Sequence, residues 1–299
     1  MDVYRRYDVD LVVDGTPCAA WLYRPTGGGA YPIVVMAHGL GGQRVFGLEP
    51  FAEGFAAAGY AVLLFDYRYF GGSGGQPRQL VDIRRQLDDW RAAIALARVL
   101  PDVDADRIAL WGTSLSGGHV QVLAAHDRRI GAVIAQVPFV DGLVSAASTP
   151  PRQGARLIAA GMRDVIGTRL GRAPHRIRLF GPAGGTAVMS GPGVEEAIRT
   201  MMPPGQWDET VPARLVPQLA RYRPGRCAGD VTCPMLYLIG DHDDITSPTA
   251  AARVARRAPD AELIHYPINH FDIYTDRWRD TAIADQRDFL DRNLPLRYR

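Results

Sequence analysis

Residues 33–37 (Ile-Val-Val-Met-Ala) and 61–65 (Ala-Val-Leu-Leu-Phe) are apolar at every position. Side chains alternate between faces along a strand, so these segments leave no face for water. Strands of this kind belong inside a parallel sheet covered by helices on both sides. Residues 107–111, 132–137, 235–239 and 262–266 read as further strands. Segments with helical spacing separate them, at 51–58, 81–100, 117–125, 249–257 and 281–293. The first stops at Gly59 and the second at Pro101, both ordinary helix terminators. The alternation predicts an α/β fold with a doubly wound, mostly parallel sheet. Residues 9–13 and 19–23 precede it as a hairpin turning at Asp14-Gly15.

The rhythm breaks near Asp141 and resumes at 227. Residues 142–226 therefore read as an inserted cap of helices plus a small hairpin, with 1–141 and 227–299 forming the core. A helix is expected over 155–170. The hairpin is expected from 176–180 and 186–189, around Gly181-Pro182-Ala183-Gly184-Gly185. Pro203, Pro204, Pro212, Pro217 and Pro224 break up the rest. Leu157, Ile158, Met162, Met189, Met201, Met202 and Trp207 give the insert an apolar content, suited to a pocket wall or to a small internal core.

Charge and composition exclude several classes. The 34 basic residues are all arginine, and 32 acidic residues leave a net charge of +2. The arginines are dispersed among acids, without the one-sided patch that nucleic acid requires. No apolar run is long enough to span a bilayer, and the first ten residues have no signal-peptide core. No membrane partner and a cytoplasmic location are expected. Cys18, Cys227 and Cys233 form no CxxC pair and read as reduced thiols. Neither the phosphate-binding nor the dinucleotide-binding glycine pattern is present, and no histidine pair has metal-ligand spacing. The expected complement of cofactors and metals is none.

The chemistry centres on Leu110-Trp111-Gly112-Thr113-Ser114-Leu115-Ser116-Gly117-Gly118. A buried strand runs into a Gly-x-Ser turn and directly into a helix, the setting of a nucleophile elbow. Ser114 has glycine two residues before it and stands at the strand end, which favours it over Ser116. Ser116 takes the place where such elbows usually carry a second glycine. A serine hydroxyl needs a base. Two later strand ends supply partners in the order acid, then histidine. Gly240-Asp241-His242-Asp243-Asp244 follows one, and Asn269-His270-Phe271-Asp272 follows the other. Both lie on the sheet edge where open α/β sheets bind ligands.

These motifs, together with Ala37-His38-Gly39-Leu40-Gly41-Gly42 and His119-Val120 after the elbow, resemble the α/β-hydrolase superfamily over nearly the whole chain. Within it the chain is similar to the dienelactone-hydrolase-like and X-Pro-dipeptidyl-peptidase-like branch, and most resembles its polyketide transferase group. The resemblance implies a triad of Ser114, Asp243 and His270. Asp241 and Asp244 flank the acid, and Asp141 is a rival because some relatives place the acid after the sixth strand. An oxyanion hole needs two backbone N–H groups, here those of Leu40 and Leu115. His38, His119, Trp90 and Trp111 read as structural.

The expected activity is cofactor-independent hydrolysis of an ester or thioester of a small-molecule acyl substrate through an acyl-serine. One alternative is an acyltransferase passing a polyketide-type acyl group to an alcohol or amine. Another is a non-catalytic ligand-binding member of the fold. The insert is expected to close over Ser114 and set substrate choice.

Overall fold

The computed structural model describes residues 2–182, 185–202 and 207–296. Strands β1 (Tyr4–Val13) and β2 (Thr16–Pro25) form the expected antiparallel hairpin. Asp14 and Gly15 turn it with φ of 48° and 73°, the left-handed pair that matches strand twist in a two-residue loop. The chain then alternates through β3 (Tyr31–Ala37), α1 (Glu49–Ala57), β4 (Ala61–Phe65), α2 (Ile83–Val99), β5 (Val103–Thr113), α3 (Leu115–His126) and β6 (Ile130–Gln136). Helix α2 starts where the Asp82 carboxylate accepts the amides of Arg84 and Arg85, satisfying donors that have no partner inside the helix.

After β6 the chain leaves the sheet. It builds α4 (Gly142–Ser148), α5 (Pro151–Arg169), the short strands β7 (Arg176–Arg178), β8 (Phe180–Gly181) and β9 (Met189–Ser190), α6 (Val194–Met201), β10 (Thr210–Pro212) and α7 (Leu215–Arg221). A 3₁₀ turn, Pro224–Asp230, leads back to β11 (Met235–Gly240), α8 (Pro248–Ala255), β12 (Ala261–Tyr266) and α9 (Asp276–Asn293).

The eight-stranded sheet has the order β1-β2-β4-β3-β5-β6-β11-β12. Every pairing from β4 to β12 is parallel, while β1 and β2 are antiparallel additions at one edge. The fully apolar strands divide their residues between two cores. Ile33, Val35 and Ala37 of β3 join Trp90 and Val120 on one face. Val34 and Met36 join Phe51, Phe55, Phe289 and Leu290 on the other. A buried side chain of this size is worth about 1.5–3 kcal/mol, so both faces contribute to stability.

The hairpin expected within the insert does not form. Arg176–Arg178 pairs antiparallel with Thr210–Pro212, and Phe180–Gly181 pairs parallel with Met189–Ser190. Turn residues between two apolar runs suggested a local pairing, whereas the partner of β7 lies over thirty residues downstream. Ala183 and Gly184 of that turn, and Pro203 and Pro204, lie outside the described residues. The lobe is braced by polar contacts instead. Buried Asp164 on α5 accepts the His175 amide at 2.7 Å, and the Arg214 amide and guanidinium at 2.9 and 2.7 Å. Its ends are tied to the core, since Arg223 pairs with Asp141 at 2.8 Å and Tyr222 meets His119 at 2.7 Å.

Candidate active site

Strand β5 delivers Ser114 at the sheet's carboxyl edge. Its φ of 56° and ψ of −118° lie outside the regions L-residues normally occupy, the strain expected of an elbow. The turn is held by its backbone: the Ser114 amide donates to Gln136 at 2.9 Å, and its carbonyl accepts from Phe139 at 2.9 Å. Gly112 is required, because a Cβ there would lie 2.2 Å from the Ser116 carbonyl oxygen. Gly39 lets the β3 loop approach, since a Cβ there would lie 2.8 Å from Cβ of Ser114.

The structure brings the three side chains named from the sequence together. His270 Nε2 is 3.1 Å from Ser114 Oγ, and Nδ1 is 2.7 Å from Asp243 Oδ2. His270 is buried, and only 8% of Ser114 and 9% of Asp243 is exposed, so little water screens the array. Asp243 Oδ1 accepts the amides of Ile245 and Thr246 at 2.8 and 2.7 Å, and Oδ2 accepts the Thr246 hydroxyl at 2.7 Å. Burial pushes this carboxyl's pKa up, but His270 and the Thr246 hydrogen bonds outweigh it and hold it below the ordinary value. Asp243 is therefore ionised around neutral pH.

The rival acids are engaged elsewhere. Asp141 caps α4 through the Leu143 amide and binds Arg223. Asp241 pairs with His265 at 2.7 Å, and Asp244 is exposed. Ser116 is also committed. It is fully buried, donates to the His38 carbonyl at 2.5 Å and hydrogen-bonds the Tyr67 hydroxyl. The second elbow serine thus ties the α3 turn to the β3 loop. His119 is buried between Tyr222 and Gln86, and burial lowers its pKa to about 3, so it stays neutral.

Leu115 opens α3, where an amide has no acceptor within the helix, and Leu40 follows the end of β3. Among the described residues, neither amide donates to another protein group. Thr246 is the supporting residue the sequence reading missed. Its signal was the spacing Asp243-x-x-Thr246, which lets one carboxylate bind the amide and hydroxyl three residues on. Tyr274 is a second, hydrogen-bonded to Thr113 beside the elbow.

The insert reaches the same place. A cavity of about 490 Å³ is lined by Ser114 and Leu115 together with Leu157, Ile158 and Met189 of the lobe. Met201 and Met202 line a smaller space with His270. Met162, one turn after Ile158 on α5 and 46% exposed, lines neither space. Trp207 packs on Phe46 and Phe180, with ring centroids 5.7 Å from each. Of the apolar residues singled out in the insert, five line these spaces and two do not. Among the described residues no cluster of metal-ligating side chains occurs, and no helix is long and apolar enough to cross a membrane.

A parallel sheet with this strand order, a strained serine elbow after β5, an acid after β11 and a histidine after β12 define an α/β-hydrolase. The chain belongs to the alpha/beta hydrolase fold family, whose model matches residues 32–276. It is 44% identical to a quorum-quenching protein of Acinetobacter baumannii, over 97% of this chain and 96% of that one. It is 32% identical to a polyketide transferase of Stachybotrys chlorohalonatus, over 62% of this chain and 60% of the relative. The crystal structure of an alpha/beta hydrolase from Penicillium sp. sh18 superposes with a TM-score of 0.82 at 20% identity, covering 98% of this chain and all of that one.

Proposed function

We propose that the protein is a serine hydrolase that cleaves an ester or thioester of a small molecule through an acyl-Ser114 intermediate. The observation that carries this reading is the continuous contact from Ser114 through His270 to Asp243, at 3.1 and 2.7 Å, on a strained elbow. His270 takes the hydroxyl proton as Oγ attacks the carbonyl, while Asp243 holds the imidazole with its proton on Nδ1. The amides of Leu40 and Leu115 stabilise the developing oxyanion. A thiohydrolase of Aspergillus aculeatus, 37% identical over 44% of this chain, supports a small acyl substrate. The polyketide transferase relative keeps a second reading in view, in which an alcohol or amine replaces water. A panel of acyl esters and thioesters of graded chain length, with mass detection of the acyl-enzyme, tests the reading. No turnover and no adduct across the panel would point to a binding protein.

As general base, His270 must accept the Ser114 proton on Nε2. Asp243 stays charged around neutral pH, because its pKa lies below the ordinary carboxyl value. His270→Ala should therefore abolish turnover while the protein stays folded, checked by steady-state rates beside thermal melting. A His270→Ala protein with the wild-type kcat would contradict the assignment.

In this reading residues 142–226 form a cap that excludes water and shapes the acyl site. Leu157→Trp should reduce kcat/KM for long acyl esters about 10-fold or more relative to an acetyl ester. Met162→Trp, one turn further along the same helix and outside both linings, should leave that ratio unchanged. Equal ratios in both variants, with only melting temperature altered, would make the lobe a stability element.

A further inference from the structure

Two spaces of different size meet at Ser114. The larger, about 490 Å³, runs beneath α4 and α5 and borders Leu115 and the Asp243 loop. The smaller, about 40 Å³, is walled by His38, Phe46, His270, Phe271 and Tyr274. Leu40, Ser114 and Met189 border both, and His270 borders only the smaller. This asymmetry fixes which half of a substrate goes where. In acylation the Ser114 Oγ–carbon bond forms and the Oγ proton passes to His270 Nε2. As the bond from the carbonyl carbon to the leaving oxygen breaks, that proton moves to the oxygen. The leaving group must therefore lie beside His270, in the small space. In deacylation the attacking oxygen gives its proton to the same Nε2 and enters from the same side, after which the proton returns to Ser114 Oγ.

We propose, resting on the acyl-serine reading above, that the substrate carries a bulky acyl group and a small leaving group, and that water is the acceptor. A cavity of about 150 Å³ holds benzene, so the larger space suits an acyl group of roughly 15–20 non-hydrogen atoms. The smaller, about 40 Å³, exceeds the roughly 10–15 Å³ of free space that one water needs. It has room for water or a small alcohol, in less than a tenth of the space on the acyl side.

Two isomeric esters separate the arrangements, because methyl decanoate and nonyl acetate have the same composition but place the long chain on opposite sides of the carbonyl. With each ester below its solubility limit, kcat/KM should favour methyl decanoate by about 100-fold, on the scale of a few methylene groups in a fitted pocket. The decanoyl-enzyme should also yield methyl ester when methanol is added, and no nonyl ester when nonanol is added. Equal rates or a preference for nonyl acetate, with an acetyl adduct on Ser114, would overturn the partition and leave the acyl-serine reading intact. Absence of turnover and of any adduct with both esters would remove that reading, and this proposal with it.

Discussion

Ser114→Ala is expected to lower kcat by about 10⁴–10⁶-fold, the range seen when a triad nucleophile is removed. That corresponds to about 5–8 kcal/mol of transition-state stabilisation. The loss is large because no neighbour can substitute. Ser116, two residues on, is fully buried with its hydroxyl engaged by His38 and Tyr67. The fold should survive, since the side chain of Ser114 makes no helix-cap bond and, among the described residues, its hydroxyl hydrogen-bonds only His270. The elbow is held through backbone bonds to Gln136 and Phe139 that alanine retains. Rates on an activated ester, measured beside thermal melting, check both halves of the expectation. An active Ser114→Ala protein would end the account.

Asp243→Asn should cost about 10⁴-fold in kcat with the fold preserved, and the reason lies in the acid's other partners. Oδ1 accepts the amides of Ile245 and Thr246. An asparagine would keep its carbonyl oxygen at those donors and turn its NH₂ toward His270. Nδ1 would then have to accept, the imidazole proton would sit on Nε2, and Nε2 could no longer take the proton of Ser114. Asp141→Asn gives the contrasting result. It weakens the contact with Arg223 and the cap of α4, so it should soften the attachment of the lobe and leave kcat nearly unchanged. Steady-state kinetics of the two variants on one substrate decide between the acids, and a crippled Asp141→Asn beside an active Asp243→Asn would reverse the assignment.

The core was legible in the sequence wherever burial left no choice. β3 and β4 are apolar on both faces, and they lie where that pattern demands, within the sheet. The elbow was legible for a steric reason, because Gly112 must clear the Ser116 carbonyl. Strands and helices with mixed composition extend beyond their apolar runs. β5 begins at Val103, before the apolar run, and α9 begins at Asp276, where a polar exposed turn hides the period. The lobe was least legible. Its small strands pair by tertiary contact over two or three residues, too few to impose an alternation. Whether an apolar residue there faced a cavity or solvent was also hidden. Met162 and Met189 are alike in type, but one is exposed on α5 and the other borders Ser114.

Active-site labelling distinguishes Ser114 from every other serine as the nucleophile of an acyl-transfer site. The protein is treated with a fluorophosphonate probe, its intact mass is measured, and the modified peptide is sequenced by tandem mass spectrometry. A single adduct on Ser114 is expected, lost in Ser114→Ala, slowed in His270→Ala, and retained in Ser116→Ala. An adduct on Ser116, or no adduct on a folded protein, would contradict it.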